Sequence, residues 1–191
     1  MIEISGISVG YKGRLVLKDF SLSIGERDCI LLKGLNGSGK TTLMKALAGL
    51  LPLSGGSVSG AERIVMVPTR IPKVKGFTLR QFVATSCPDP EAVERALKML
   101  GLQDLAERDI STLSDGQFQK GCIATGLSRR AGLLLLDEPT AFLDYKAREE
   151  VLAVIRGIAD AGTPVIFSSH DIAAALPYAT RVVELSFDMD K

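Results

Sequence analysis

The chain has 191 residues, 46% of them hydrophobic and 24% charged, with a formal net charge of +1. This describes a folded soluble domain, or a domain with a small lobe, and leaves no electrostatic footprint for nucleic acid; the local basic spots "TRIPKVKG" and "SRRAG" read as solvated surface. The cysteines Cys29, Cys87 and Cys122 are odd in number and far apart with no CxxC spacing, which points to free thiols in a reducing compartment rather than a metal site or disulfide frame.

No stretch approaches the ~20 apolar residues of a bilayer span. The opening "MIEISGISVG" lacks the charged-then-apolar pattern of a signal peptide, so any membrane role is expected to come through a partner. "IEISGISV" and "LVLKDFSLSI", separated by the turn-like "YKGR", read as an antiparallel strand pair. "RDCILLKG" is apolar without alternation, as in a strand buried on both faces. A helix is expected over Thr41 to Leu50, with Leu43, Leu47 and Leu50 on one face. Polar "PLSGGSVSGAE" reads as a loop or hairpin, and "RIVMVP" as another buried strand.

Residues from about Gly76 to Arg130 look wholly helical: "TLRQFVAT" opens on a threonine cap, and "DPEAVERALKML" places proline in a first turn. Alternation then returns, with strand "LLLLD", helix "YKAREEVLAVIRGIADAG", strand "TPVIFSS", short helix "IAAAL" and strand "RVVEL". The pattern implies an α/β fold with a mostly parallel sheet covered on both faces, N-terminal antiparallel strands, and an inserted helical lobe. The expected boundaries are residues 1–75 and 131–191 for the core and 76–130 for the lobe.

"KGLNGSGKTT" carries the chemistry. Gly34, Gly39, Lys40 and Thr41 fit G-x-x-x-x-G-K-[ST] after a buried strand and before a helix. Gly34, Asn36, Gly37, Ser38 and Gly39 would turn backbone N–H groups around phosphate oxygens, helped by the positive helix end. Lys40 would bridge the β- and γ-phosphates, Thr41 would hold Mg²⁺, and Thr42 would lie toward the α-phosphate. "LLLLDEP" ends a buried strand with Asp137, an acceptor for Mg²⁺ or its water, and Glu138, able to polarise a water. "LSDGQFQK" starts a helix on Ser114, a good N-cap.

These motifs, in this order, resemble the ATP-binding-cassette (ABC) ATPases over almost the whole chain, with "LSDGQ" standing where that family's signature is usually LSGGQ. The resemblance implies an ABC ATPase fold on a P-loop NTPase core, and ATP with Mg²⁺ as ligands. It implies a sandwich in which Ser114, Gly116 and Gln117 meet the nucleotide of a second subunit. It further implies that Tyr11 stacks on adenine, that "AFLD" (Ala141–Asp144) faces the other protomer, and that His170, the single histidine, acts with Glu138 on the γ-phosphate. Thr69 departs from the family, which carries glutamine there; a threonine hydroxyl can still ligate Mg²⁺ or a water, with shorter reach. The second departure is brevity, which implies a minimal cassette without a regulatory C-terminal domain.

The expected function is hydrolysis of ATP to ADP and phosphate, with Lys40, Glu138 and His170 catalytic and Thr41, Asp137 and Thr69 at the metal. The implied partners are membrane-spanning transporter subunits, a second cassette as homodimer or heterodimer, and a solute-binding protein acting through the permease, at the cytoplasmic inner face of the membrane. "ERDISTLSDGQFQK" and "DEPTAFLD" look most like importer ATPases for iron chelates and cobalamin; short cassettes also resemble haem-type exporters. Two alternatives are a soluble ABC ATPase of an iron–sulfur assembly type, and a nucleotide-binding module with little turnover.

Overall fold

A computed structural model describes residues 1–11 and 14–185, whose strands divide into two sheets. In the first, β1 (Ile2–Tyr11) pairs antiparallel with β2 (Arg14–Ile24) on one side and β4 (Gly55–Ser59) on the other. The second contains β3 (Cys29–Lys33), β5 (Ile64–Val67), β6 (Leu133–Leu136), β7 (Val165–Ser168) and β8 (Arg181–Glu184). Its order is β5-β6-β7-β3-β8 and every pairing is parallel. All these strands therefore end at one edge of the sheet, and everything that follows their last residues is gathered there.

Unbroken apolar runs make β3, β6 and β7 central because both faces are covered. Ile30, Leu32, Leu133, Leu135 and Ile166 pack with α1 (Lys40–Leu47) and the antiparallel sheet. Cys29, Leu31, Leu134, Leu136, Val165 and Phe167 pack with α4 (Asp115–Ser128) and α5 (Tyr145–Asp160) on the opposite face. Each such Leu or Ile stabilises the fold by ~1.5–3 kcal/mol on burial. Burial also pushes the Cys29 and Cys122 thiols up to about 12.

Between β5 and β6 the described chain is helical. Thr78 and Gln81 close a capping box on α2 (Leu79–Ala84), and Asp89 with Pro90 starts α3 (Pro90–Met99). Both lean on α4, which continues onto the sheet: a Cβ on Gly126 would lie 2.7 Å from Leu134 Cδ1 and 3.1 Å from Val67 Cγ2, so a larger residue here would displace those side chains. One apolar cluster thus runs from α2 and α3 through α4 into the sheet. The short helix α6 (Ile172–Ala175) leads into β8.

Two expectations differ from the structure. The "loop or hairpin" after Leu51 contains β4, whose backbone pairs with β1 (Ile4 opposite Val58) although Val58 is its single large apolar residue. The first helix spans Lys40–Leu47 rather than Thr41–Leu50, and Leu50 is exposed instead of lying on the buried face. Gly49 at φ +71° turns the chain, with its N–H donating to Ala46 O and that of Leu50 to Lys45 O, a paired C-terminal cap that a continuing apolar text conceals.

Candidate functional site

The loop between β3 and α1 takes its shape from glycine. Gly37 and Gly39 sit at φ +82° and +96°, where a side chain is strained, and a Cβ on Gly39 would meet Val16 Cγ1 at 3.0 Å. Gly39 caps α1 with no side-chain hydrogen bond, so the first N–H groups of this helix are left to an outside acceptor. The Lys40 ammonium, almost fully buried, folds back to donate to Gly34 O at 2.8 Å and Leu35 O at 3.1 Å. The buried Ser38 hydroxyl has no hydrogen-bond partner.

At the ends of β6 and β7 Asp137, Glu138 and Ser168 interlock, with Thr41 joining them from α1. Thr41 Oγ1 donates to Asp137 Oδ2 at 2.8 Å, Ser168 Oγ donates to Asp137 Oδ1 at 3.0 Å, and the Glu138 N–H donates to Ser168 Oγ at 2.8 Å. The His170 N–H donates to Glu138 Oε2 at 3.0 Å, while His170 Nε2 lies 3.4 Å from Glu138 Oε1, a buried oxygen without a hydrogen bond. Desolvation raises the Glu138 pKa above its ordinary 4.5, opposed in part by His170 and Lys40. Glu138 also holds φ +50°, and Phe142 further along the same loop holds +68° with the Arg70 guanidinium stacked 4.3 Å from its ring centre.

A cleft of about 340 Å³ is lined by Asn36, Gly37, Gly39, Lys40, Thr41, Thr42, Thr69, Asp137, Glu138 and His170. The structure therefore brings the glycine loop, both acids, the histidine and Thr69 to one place at the carboxyl edge of the sheet. Gly34 joins them through its carbonyl on Lys40. Ser114, Gly116 and Gln117 line a separate cleft of about 310 Å³ beside Lys120, Asp144 and Glu150. Ser114 and Gln117 there form a capping box, and Gly116 passes so near α5 that a Cβ would lie 2.9 Å from Ala147 Cβ. Tyr11 is the last residue of β1, half exposed, and does not line the first cleft.

Sequence reasoning missed Ser168. It is fully buried and bonds both Asp137 and the Glu138 backbone. The available signal was a polar residue closing a buried strand beside an acid, since buried hydroxyls need partners. The Thr41–Asp137 pair supplies hard oxygen donors of the kind Mg²⁺ takes.

Residues 17–141 match the profile of the ABC transporter family. The zinc import ATP-binding protein ZnuC of Cereibacter sphaeroides is 36% identical over 180 residues, covering 90% of this chain and 73% of that protein. The siderophore transport system ATP-binding protein YusV of Bacillus subtilis is 30% identical, covering 96% of this chain and 76% of the relative. An ABC transporter ATP-binding protein of Streptomyces avermitilis is 34% identical over 97% of this chain, which spans only 38% of that longer protein. A dimeric bacterial ABC transporter cassette superposes with a TM-score of 0.78 at 23% identity, covering 97% of this chain and 94% of its own. No described helix is long and apolar enough to cross a membrane. With its glycine loop, paired acids and capped "LSDGQ" helix on this doubly covered parallel sheet, the chain belongs to the ABC transporter family of ATP-binding proteins.

Proposed function

We propose that the chain hydrolyses ATP to ADP and phosphate as the nucleotide-binding subunit of a membrane ABC transporter. The observation that carries this reading is the single cleft holding Lys40, the Thr41–Asp137 pair and the Glu138–His170 pair. The loop N–H groups of Gly34–Thr42 and the open end of α1 receive the phosphates, and Lys40 exchanges its two carbonyl partners for the β- and γ-phosphates. Thr41 and Asp137 would hold a Mg²⁺, with Thr69 beside them in the cleft, and the ion would supply charge neutralisation on those phosphates. Ser168 fixes the Asp137 carboxylate and the Glu138 backbone together. Glu138, its pKa raised by desolvation, takes a proton from the attacking water, and His170 orients its carboxylate.

The second cleft, at the start of α4, supports a sandwich of two cassettes in which Ser114, Gly116 and Gln117 complete the site of the partner copy. A cassette of the same fold that is dimeric supports the pairing of two copies. Tyr11 stacks on adenine from the end of β1. Residues 76–130 form the lobe that moves against the core. Membrane-spanning subunits bind the cassette at the inner membrane face and alone contact the solute. The zinc and siderophore systems of the two relatives favour import of a metal or metal chelate with a binding protein.

A second reading, nucleotide binding with little turnover, is motivated by Thr69, which lines the cleft in place of a longer glutamine. Steady-state ATPase rates of the wild type and Glu138→Gln separate the two. Removal of the base is expected to slow hydrolysis by about 100-fold or more and to trap an ATP-bound dimer on gel filtration. Equal, negligible rates would establish the second reading instead.

A further inference from the structure

Asp115 is the first residue of α4, directly after Ser114, and its side chain is 74% exposed. An acid at this position suits the helix dipole. It also cancels part of the positive helix end that, in the sandwich proposed above, faces the phosphates held by the partner copy. The usual family text has glycine here, so Asp115 adds a charge that this text lacks.

Lys73 reaches the acid from the segment joining β5 to α2. Its Nζ lies 2.7 Å from Asp115 Oδ1, donates to Leu113 O at 3.0 Å, and stands 5.4 Å from the centre of the Phe118 ring. A freely solvated surface pair has one contact and contributes little. Lys73 has three, on residues either side of Ser114, and it is half-buried. Two of the three do not involve the carboxylate, so the ammonium is held at the start of α4 by the backbone and an aromatic face as well.

We propose that Lys73 is a positioning residue whose ammonium masks Asp115, so that the start of α4 can accept the phosphates of a nucleotide bound to a second copy of this chain. The inference rests on the two-copy reading. It also links the two clefts, because Lys73 lies on the same segment as Thr69, four residues further on. The part of the chain that lines the nucleotide cleft of one copy thereby sets the charge that copy presents to the other.

The test uses Glu138→Gln as parent and reads the Mg·ATP concentration that gives half-maximal dimer in sedimentation velocity. Lys73→Met, which keeps the stem and deletes the charge, is expected to raise that concentration about tenfold, the effect of one partly screened like charge. Asp115→Asn alone is expected to stay within about twofold of the parent, and the Lys73→Met/Asp115→Asn double variant to return to within about threefold. A double variant as weak as Lys73→Met, or a Lys73→Met variant that dimerises like the parent, overturns the proposal, because a purely structural lysine cannot be rescued by removing its partner. Lys73→Gln carries the same comparison should Lys73→Met fail to fold. A parent that stays monomeric at saturating Mg·ATP overturns the two-copy reading itself, and that outcome is visible before Lys73 is touched.

Discussion

The two glycine-bearing helix starts, α1 and α4, solve one physical problem in opposite ways. Each opens with N–H groups that have no partner within the helix. At α4 the chain supplies the acceptors itself: Ser114 Oγ accepts from the Gln117 N–H, and Gln117 Oε1 accepts from the Ser114 N–H. At α1 the cap is Gly39 in a left-handed conformation with no side-chain acceptor, and the nearest cation is buried against loop carbonyls. The α4 end is finished without a ligand, and the α1 end is left to be finished by one. A phosphate at α1 adds contacts; a phosphate at α4 must compete with a cap already made.

The strongest way to break this contrast is Lys40→Ala. Loss of the charge beside the open end is expected to weaken Mg·ATP binding by at least about 100-fold in titration calorimetry, as for other charge-assisted phosphate contacts. Unchanged affinity would mean that the α1 end does not take phosphate. Next comes Gly39→Ala, which forces a Cβ onto a φ of +96° and toward Val16 at 3.0 Å. It is expected to cost about 1–3 kcal/mol in urea unfolding and to weaken nucleotide binding with it. Ser114→Ala should cost only about 1 kcal/mol, the value of one cap, and leave binding at the chain's own α1 site intact. A loss of that binding would show that the ends are not independent.

The smallest effect sharpens the comparison at Glu138. Its raised pKa means that the native state holds the proton more tightly than the unfolded chain does, so stability falls as pH rises from about 4.5 through the raised native value. Glu138→Gln removes that cost while keeping an acceptor for the His170 N–H. The thermal midpoint is therefore expected to rise by at most about 3 °C near neutral pH, with the gain disappearing below pH 4.5. A gain that grows on acidification would contradict the assigned direction.

Much of this was legible in the text because chemistry-bearing residues directly follow solid apolar runs. Asp137 and Glu138 after "LLLL", His170 after "VIFSS", and the glycine loop after "CILL" had to meet once the strands were parallel. What escaped lacks side-chain contrast. Strand β4 pairs through its backbone, with Val58 as its lone large apolar residue. Ser168 offered only the signal of a polar residue closing a buried strand, which does not say that it reaches Asp137 and Glu138. The positive φ values of Glu138 and Phe142 occur without a glycine to announce them. Leu50 misled because "LAGLL" stays apolar through a helix stop.

The close approach at Gly126 sets the depth at which α4 lies on the sheet. Its contact Leu134 stands three residues before Asp137, while Ser114 caps the same helix about 18 Å away at the usual rise, so one rigid rod joins the neighbourhood of the acids to the second cleft. Bulk placed at Gly126 would lift that rod from the strand and shift its capped tip with it.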